Sequence, residues 1–195
     1  TPISPDKRLI DFLFGKHPER IDESYDRFFT TLTGNEELDP FIANREVLDA
    51  LNISYDDGTR LFSLYGDEGA GRKFTIRHFC ADHGLACVSV NGSKLFVYDF
   101  SFVEKALWAL CRECILLGAC CCLDNLEYRE EEKDKFFGYM DLAFEKLGKH
   151  NITAFTVSRD KLPLREMTQI EFTQLEIPTP NNQEREDVWR YYAKD

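Results

Sequence analysis

The residues with the clearest chemistry lie in one turn, Gly66-Asp67-Glu68-Gly69-Ala70-Gly71-Arg72-Lys73, entered from an apolar, β-prone run over residues 61–65. The spacing is that of a phosphate-binding loop, in which backbone N–H groups cradle phosphate oxygens, a Lys reaches the β/γ-phosphates and a Ser or Thr hydroxyl helps to hold Mg²⁺. Gly66, Gly69 and Gly71 keep the glycine frame, but Arg72 stands at the Lys position and Lys73 at the hydroxyl position. A planar guanidinium does not replace an ammonium on a flexible stem at a tight phosphate site. An ammonium at the hydroxyl position either takes the metal's place or repels it. Asp67 and Glu68 add two carboxylates, and each like-charge contact with phosphate at about 4 Å costs roughly 1 kcal/mol in water. The plain alternative is a Gly-rich strand-to-helix turn that binds nothing.

The elements that must position this loop follow from the pattern around it. Strands are expected over about residues 60–65, 86–91, 119–124, 152–157 and 171–177, with helices between them over about 72–83, 102–117 and 130–147. Such alternation implies crossover connections and a largely parallel sheet with helices on both faces. Ligands in that architecture sit at the carboxyl ends of the strands, where Gly66 and Asp124 fall. Ahead of the sheet, residues 1–57 read as helical in pieces: Leu9, Ile10, Leu13 and Phe14 up to Gly15, then Tyr25, Phe28, Phe29 and Leu32 up to about Gly34, then residues 41–51. After Pro178-Thr179-Pro180, residues 181–192 read as a further helix, with Asn181 or Asn182 as its N-cap.

A chain of 195 residues has room for one sizeable core. A formal net charge of -11 with scattered basic residues disfavours a sequence-independent grip on nucleic acid. No apolar run approaches the ~18 residues of a membrane span, so neither nucleic acid nor membrane is an expected partner. The seven Cys are odd in number and lack the framework of a small secreted domain, which suits reduced thiols in a cytoplasmic protein. Cys111-x-x-Cys114 has metal-like spacing, but it lies on an apolar helix beside Leu107 and Leu110 and has no partner pair, so it reads as core. The chain opens at Thr1 and closes at Asp195 inside a helical pattern, as a piece of a longer protein would.

From about Thr59 onward the sequence resembles an AAA+ ATPase module. The likeness rests on landmarks in order: Leu64-Tyr65-Gly66 entering the loop; Val88-Ser89-Val90-Asn91-Gly92-Ser93 as the second strand and its turn; Cys120-Cys121-Cys122-Leu123-Asp124-Asn125 as the Walker B strand; residues 152–159 as the sensor-1 strand; and Ile177-Pro178-Thr179-Pro180 with Arg185 as the entry to the helical lid. The resemblance implies an α/β, P-loop NTPase-like (AAA+) fold, with a parallel five-stranded sheet flanked by helices and preceded by a short helical segment. The expected division is a lead-in over 1–57, the α/β core over 58–180 and the start of a truncated lid over 181–195. Asp6-Lys7-Arg8-Leu9-Ile10-Asp11-Phe12-Leu13 is also similar to the lead-in of the first module in bacterial proteins that carry two AAA+ modules in tandem.

By the same resemblance the nucleotide-binding positions are Gly66, Gly69, Gly71, Arg72, Lys73, Asp124 and Ser158. Asp124 matches the Walker B carboxylate and Ser158 the sensor-1 position, although a hydroxyl that merely caps a strand end fits Ser158 as well. Asn125 takes the place of the Glu that activates water, and an amide accepts no proton at neutral pH. Glu127 aligns elsewhere. Arg165 is nearest to the arginine-finger position, where Met167-Thr168-Gln169-Ile170 replaces an Arg-rich turn, and Tyr98-Asp99-Phe100 lies near the pore-loop position with core packing as its competing role. The resemblance therefore implies no catalytic residue and no metal ligand. It implies a catalytically degenerate module, a structural or regulatory unit of a larger ATPase or assembly, that holds ATP or ADP weakly and disfavours Mg²⁺. Its expected partner is another AAA+ module or a copy of itself. The alternative is a weak ATP-binding or slow ATPase module whose site a neighbour completes.

Overall fold

The computed structural model describes residues 6–16, 25, 27–32 and 38–193. Strands β1 (Phe29–Leu32), β2 (Leu61–Tyr65), β3 (Ala86–Asn91), β4 (Ala119–Leu126), β5 (Ala154–Ser158) and β6 (Phe172–Glu176) form one six-stranded sheet in the order β1-β3-β4-β5-β2-β6. The last five run parallel, as the alternating pattern requires. Helices α1 (Lys7–Leu13), α2 (Arg45–Asp56), α3 (Arg72–Asp82), α4 (Gly92–Leu95), α5 (Phe100–Leu117), α6 (Lys133–Lys149), α7 (Leu164–Met167) and α8 (Asn182–Tyr192) complete the described chain.

The central strands β2 to β5 are buried on both faces, so their side chains divide between two cores with a period of two. Val88, Val90, Cys121 and Leu123 pack with Leu107 and Leu110 of α5 and with Met140 and Phe144 of α6. On the opposite face Phe62, Leu64, Phe155 and Val157 pack with Leu51 of α2 and with Ile76 and Phe79 of α3. The rings of Phe62, Phe79 and Phe155 lie 5.1 to 5.8 Å apart and fix α3 over the centre of the sheet.

One expectation is corrected. Residues 27–32 do not form a helix, and among the described residues the sheet has six strands, because β1 pairs antiparallel with β3, Phe29 opposite Val90 and Leu32 opposite Cys87. The run Phe28-Phe29-Thr30-Thr31-Leu32 is aromatic and β-branched, a composition that suits a pleated surface. β3 would otherwise present an open row of N–H and C=O groups at the sheet edge. Apolar spacing of three to four over so short a segment fits either period once adjacent residues, Phe28 and Phe29, are both buried. The expected end of that segment near Gly34 lies outside the described residues.

Besides β1, polar contacts at two places tie the lead-in to the rest of the chain. Asn181 is the N-cap of α8 and forms a capping box with Glu184. The same Glu184 carboxylate accepts the Asn44 N–H at 3.0 Å, while the Asn44 amide donates to the Pro178 carbonyl at 3.0 Å. The N–H groups of Asn44 and Asn181 hold the Glu184 carboxyl below the usual carboxylate range.

At the other contact, Glu113 of α5 has a fully buried side chain, with Arg8 Nη2 of α1 at 2.9 Å and Arg112 Nη2 at 3.2 Å. Removing one member of a buried ion pair leaves a charge that burial penalises. Because Arg112 remains beside Glu113, Arg8→Ala is expected to cost about 2 kcal/mol, the worth of hydrogen bonds to a charged group, measured as a lower urea midpoint at unchanged m-value. A cost below about 0.5 kcal/mol, the value of an exposed pair, would contradict this.

Candidate functional site

The carboxyl ends of the parallel strands meet at one edge of the sheet, with Tyr65 of β2 opposite Ser158 of β5 and Asn91 of β3 opposite Asp124 of β4. Between Leu123 and Leu126 the β4–β5 register shifts, so Asp124 and Asn125 together stand against Val157. A bulge of this kind re-aims side chains at a strand end. Asn125 takes a left-handed φ of 52° and is exposed, whereas Asp124 stays buried.

The loop is fastened at its start, where the Gly66 N–H donates to the Arg159 carbonyl just past β5 at 3.0 Å. Gly69 and Gly71 have φ of 83° and 96°, a region that favours glycine, and they carry the chain from β2 into α3. The Ala70 N–H closes the turn on the Asp67 carbonyl at 3.1 Å, and the Thr75 hydroxyl caps the Gly71 carbonyl at 3.1 Å. Asp67 and Glu68 point their carboxylates into solvent, with Arg159 Nε 3.9 Å from Asp67.

Both replaced residues are engaged by the chain itself. Lys73 Nζ forms an ion pair with Asp124 Oδ2; the lysine side chain is 52% exposed and the aspartate 6%, so the ammonium reaches in from solvent to cover a carboxylate that is otherwise enclosed. Arg72 Nη1 donates to the Ser158 carbonyl. The Ser158 hydroxyl donates to the Asp160 carbonyl at 2.7 Å, the role of a strand-end cap. Gly66, Gly69, Gly71, Arg72, Lys73, Asp124 and Ser158 thus share one end of the sheet, with Asp124 drawn to the loop through Lys73 and Ser158 through Arg72.

Other candidates lie apart from this grouping. Glu127 pairs with Arg129 at 3.1 Å and faces a cavity of about 250 Å³ between α4, α6 and the end of β4. Arg165 is exposed on α7 and lines a cavity with Glu166, Phe172 and Gln174. The Tyr98 ring packs 4.5 Å from that of Phe102, its carbonyl accepts the Tyr139 hydroxyl at 2.6 Å, and Asp99 caps α5, all of them packing roles. Cys111 and Cys114 are buried in α5, where burial pushes the Cys111 thiol up to about 12. Two features escape sequence reasoning: the Arg72 bond to a backbone carbonyl, and three thiols from α3, β3 and β4 gathered beneath α3.

A parallel sheet in this order, with a glycine loop between β2 and α3 and an aspartate at the end of β4, defines the fold class of an AAA-type P-loop domain. No family model matches the sequence, and a search of curated protein sequences finds none that matches. Among solved structures the chain is similar to the FIGL-1 AAA domain, with a TM-score of 0.58 and 13% identity over 89% of this chain and 66% of that one. The FIGL-1 AAA domain in complex with ADP gives 0.60 and 14% identity over 98% and 68%. A katanin structure, described as the basis of katanin self-assembly, gives 0.57 and 14% over 98% and 66%. At these identities the likeness shows the AAA fold. The chain spans about two thirds of the length of those structures. Among the described residues, no helix is long and apolar enough to cross a membrane.

Proposed function

We propose that this chain is a catalytically degenerate AAA+ module, a structural and regulatory unit of a larger ATPase or assembly. The ion pair between Lys73 and Asp124 carries the reading. Mg²⁺ needs oxygen ligands at about 2.0–2.1 Å, and here the loop supplies an ammonium instead of a hydroxyl. That ammonium already neutralises the carboxylate that would hold the metal. The residues present do not fit Mg²⁺. Asn125 supplies no base, and its exposed left-handed position leaves no carboxylate at that point of the bulge.

The glycine frame still presents backbone N–H groups at the N-terminus of α3, which favours phosphate without a metal. ATP or ADP is the ligand class, held weakly by Gly66, Gly69, Gly71, Arg72 and Lys73 with Asp124 and Ser158 behind them. The partner is another AAA+ module or a second copy, by analogy with the FIGL-1 and katanin folds, one solved with ADP and the other in a study of self-assembly. Residues 58–180 act as the core, 181–195 begin a lid, and 1–57 lead in from whatever precedes, in the manner of the first of two tandem modules. The test is ATP turnover by the purified chain with Mg²⁺ in excess, alone and at high concentration. Turnover at background is expected. Mg²⁺-dependent hydrolysis that Asp124→Ala abolishes would overturn the proposal.

A further inference from the structure

Away from the loop, beneath α3, lie three thiols from three different elements: Cys80 of α3, Cys87 of β3 and Cys120 of β4. All three are buried, and their sulfurs lie within 4.8 Å of one another, Cys80 Sγ and Cys120 Sγ being 3.4 Å apart. Cys87 and Cys120 are direct neighbours across the parallel β3–β4 pair, so the sheet fixes two corners of the triangle and the helix supplies the third. Among the described residues this is the one group of three ligand-type side chains brought so close.

We propose that Cys80, Cys87 and Cys120 form a site for a soft monovalent cation, Cu(I). Metal–thiolate bonds of about 2.3 Å around a trigonal ion set the sulfurs about 4.0 Å apart, between the 3.4 Å contact and the 4.8 Å limit of the cluster. The corners therefore need only small side-chain adjustments. Soft sulfur ligands select Cu(I) and Zn²⁺ among common ions. Structural Zn²⁺ takes four ligands; the next thiol, Cys122, contacts Cys87 but is not within 4.8 Å of all three sulfurs, so the close group offers three. The nearby His83 imidazole shares its Nε2 with Asn52 at 3.1 Å.

Binding breaks two S–H bonds, whose protons go to solvent, and forms three Cu–S bonds, two from thiolates and the third from the lone pair of a thiol, and no electron is transferred. The buried charge is then a single negative one, a far smaller burden than three thiolates. Of the three, Cys120 borders a cavity at the end of the sheet opposite the loop. Its volume is about 310 Å³, and its lining includes Tyr55, Arg60, Leu85 and His150. The site is separate from the nucleotide loop, so the proposal stands whether or not the loop binds phosphate.

The test is anaerobic titration of the whole chain with Cu(I) presented as its bathocuproine disulfonate complex. One equivalent should transfer per chain, and the unfolding midpoint should rise, since an ion that binds the native state stabilises it. Cys80→Ser should weaken binding by on the order of 100-fold or more. Cys111→Ser, a thiol on the opposite face of the sheet, should keep the full equivalent. X-ray absorption of the copper-loaded wild-type chain, which depends on no variant's folding, should show three sulfur neighbours. No transfer, a lowered midpoint, equal binding by Cys80→Ser, loss in the opposite-face variant, or nitrogen neighbours would each overturn the assignment.

Discussion

Gly66→Ala is expected to lower the unfolding midpoint by roughly 6 to 12 °C. A Cβ there would lie 2.4 Å from the Ile177 carbonyl oxygen and 3.4 Å from its carbon, at a φ of +150° that side chains rarely adopt. The obstacle is backbone, and it is held: the Ile177 N–H donates to the Tyr65 carbonyl at 2.8 Å, and the Ile177 side chain is buried. On the other side the Gly66 N–H is bonded to the Arg159 carbonyl, so neither strand end can retreat without breaking a bond. Backbone strain of this kind costs about 1–3 kcal/mol and an extra methyl in a packed site a similar amount. A total of about 3 kcal/mol corresponds to that shift for a chain of this size at roughly 2–4 °C per kcal/mol. Gly69→Ala is the control, because its φ of +83° is also left-handed but a Cβ there meets nothing within 4 Å. It should cost only about 1 kcal/mol. Equal midpoints for the two variants in thermal unfolding would mean that the Ile177 contact relaxes.

How much of this was legible from sequence depended on how local each constraint is. β2 to β5 were legible because strands covered on both faces read as short apolar runs between turn signals, and the observed limits of β2 to β6 lie within about two residues of the expected ones. β1 was not, because its partner β3 follows it by about sixty residues and its aromatic spacing suits a helix as well. The glycine frame was legible because left-handed turns demand glycine. What Arg72 and Lys73 do there was only half legible. Their positions put both at the start of α3 beside the loop, but the partner of Lys73, Asp124, comes from a distant strand. The Arg72 partner is a backbone carbonyl, which no sequence pattern announces. Of the two expected N-cap candidates, Asn181 and Asn182, the capping box with Glu184 selects Asn181, while the second partner of Glu184, Asn44, lies 140 residues away. Distance along the chain hid the thiol triangle in the same way.

Arg72→Lys combined with Lys73→Thr is expected to turn a metal-independent loop into a metal-dependent one. In the wild-type chain the Lys73 ammonium neutralises Asp124, so any stabilisation by ADP or ATP should be the same with Mg²⁺ and with EDTA. The double variant removes that ammonium, restores a hydroxyl at its position, and replaces a guanidinium bonded to the Ser158 carbonyl with an ammonium on a flexible stem. Asp124, enclosed but for 6% of its side chain, is then left without its counter-charge. The variant should therefore unfold at a lower midpoint in EDTA, because an unpaired enclosed carboxylate is penalised. Nucleotide with Mg²⁺ should more than recover it: ligand at about 100 times its dissociation constant stabilises by about 2.7 kcal/mol, a rise of roughly 5 to 11 °C for a chain of this size. Turnover should stay at background in the double variant, since Asn125 still supplies no base. Thermal unfolding of both proteins with ADP and ATP, each with Mg²⁺ and with EDTA, makes the comparison. If the double variant gained no Mg²⁺-dependent rise, the ion pair would not be what excludes the metal, and the loop would be a turn whose glycines serve the fold alone.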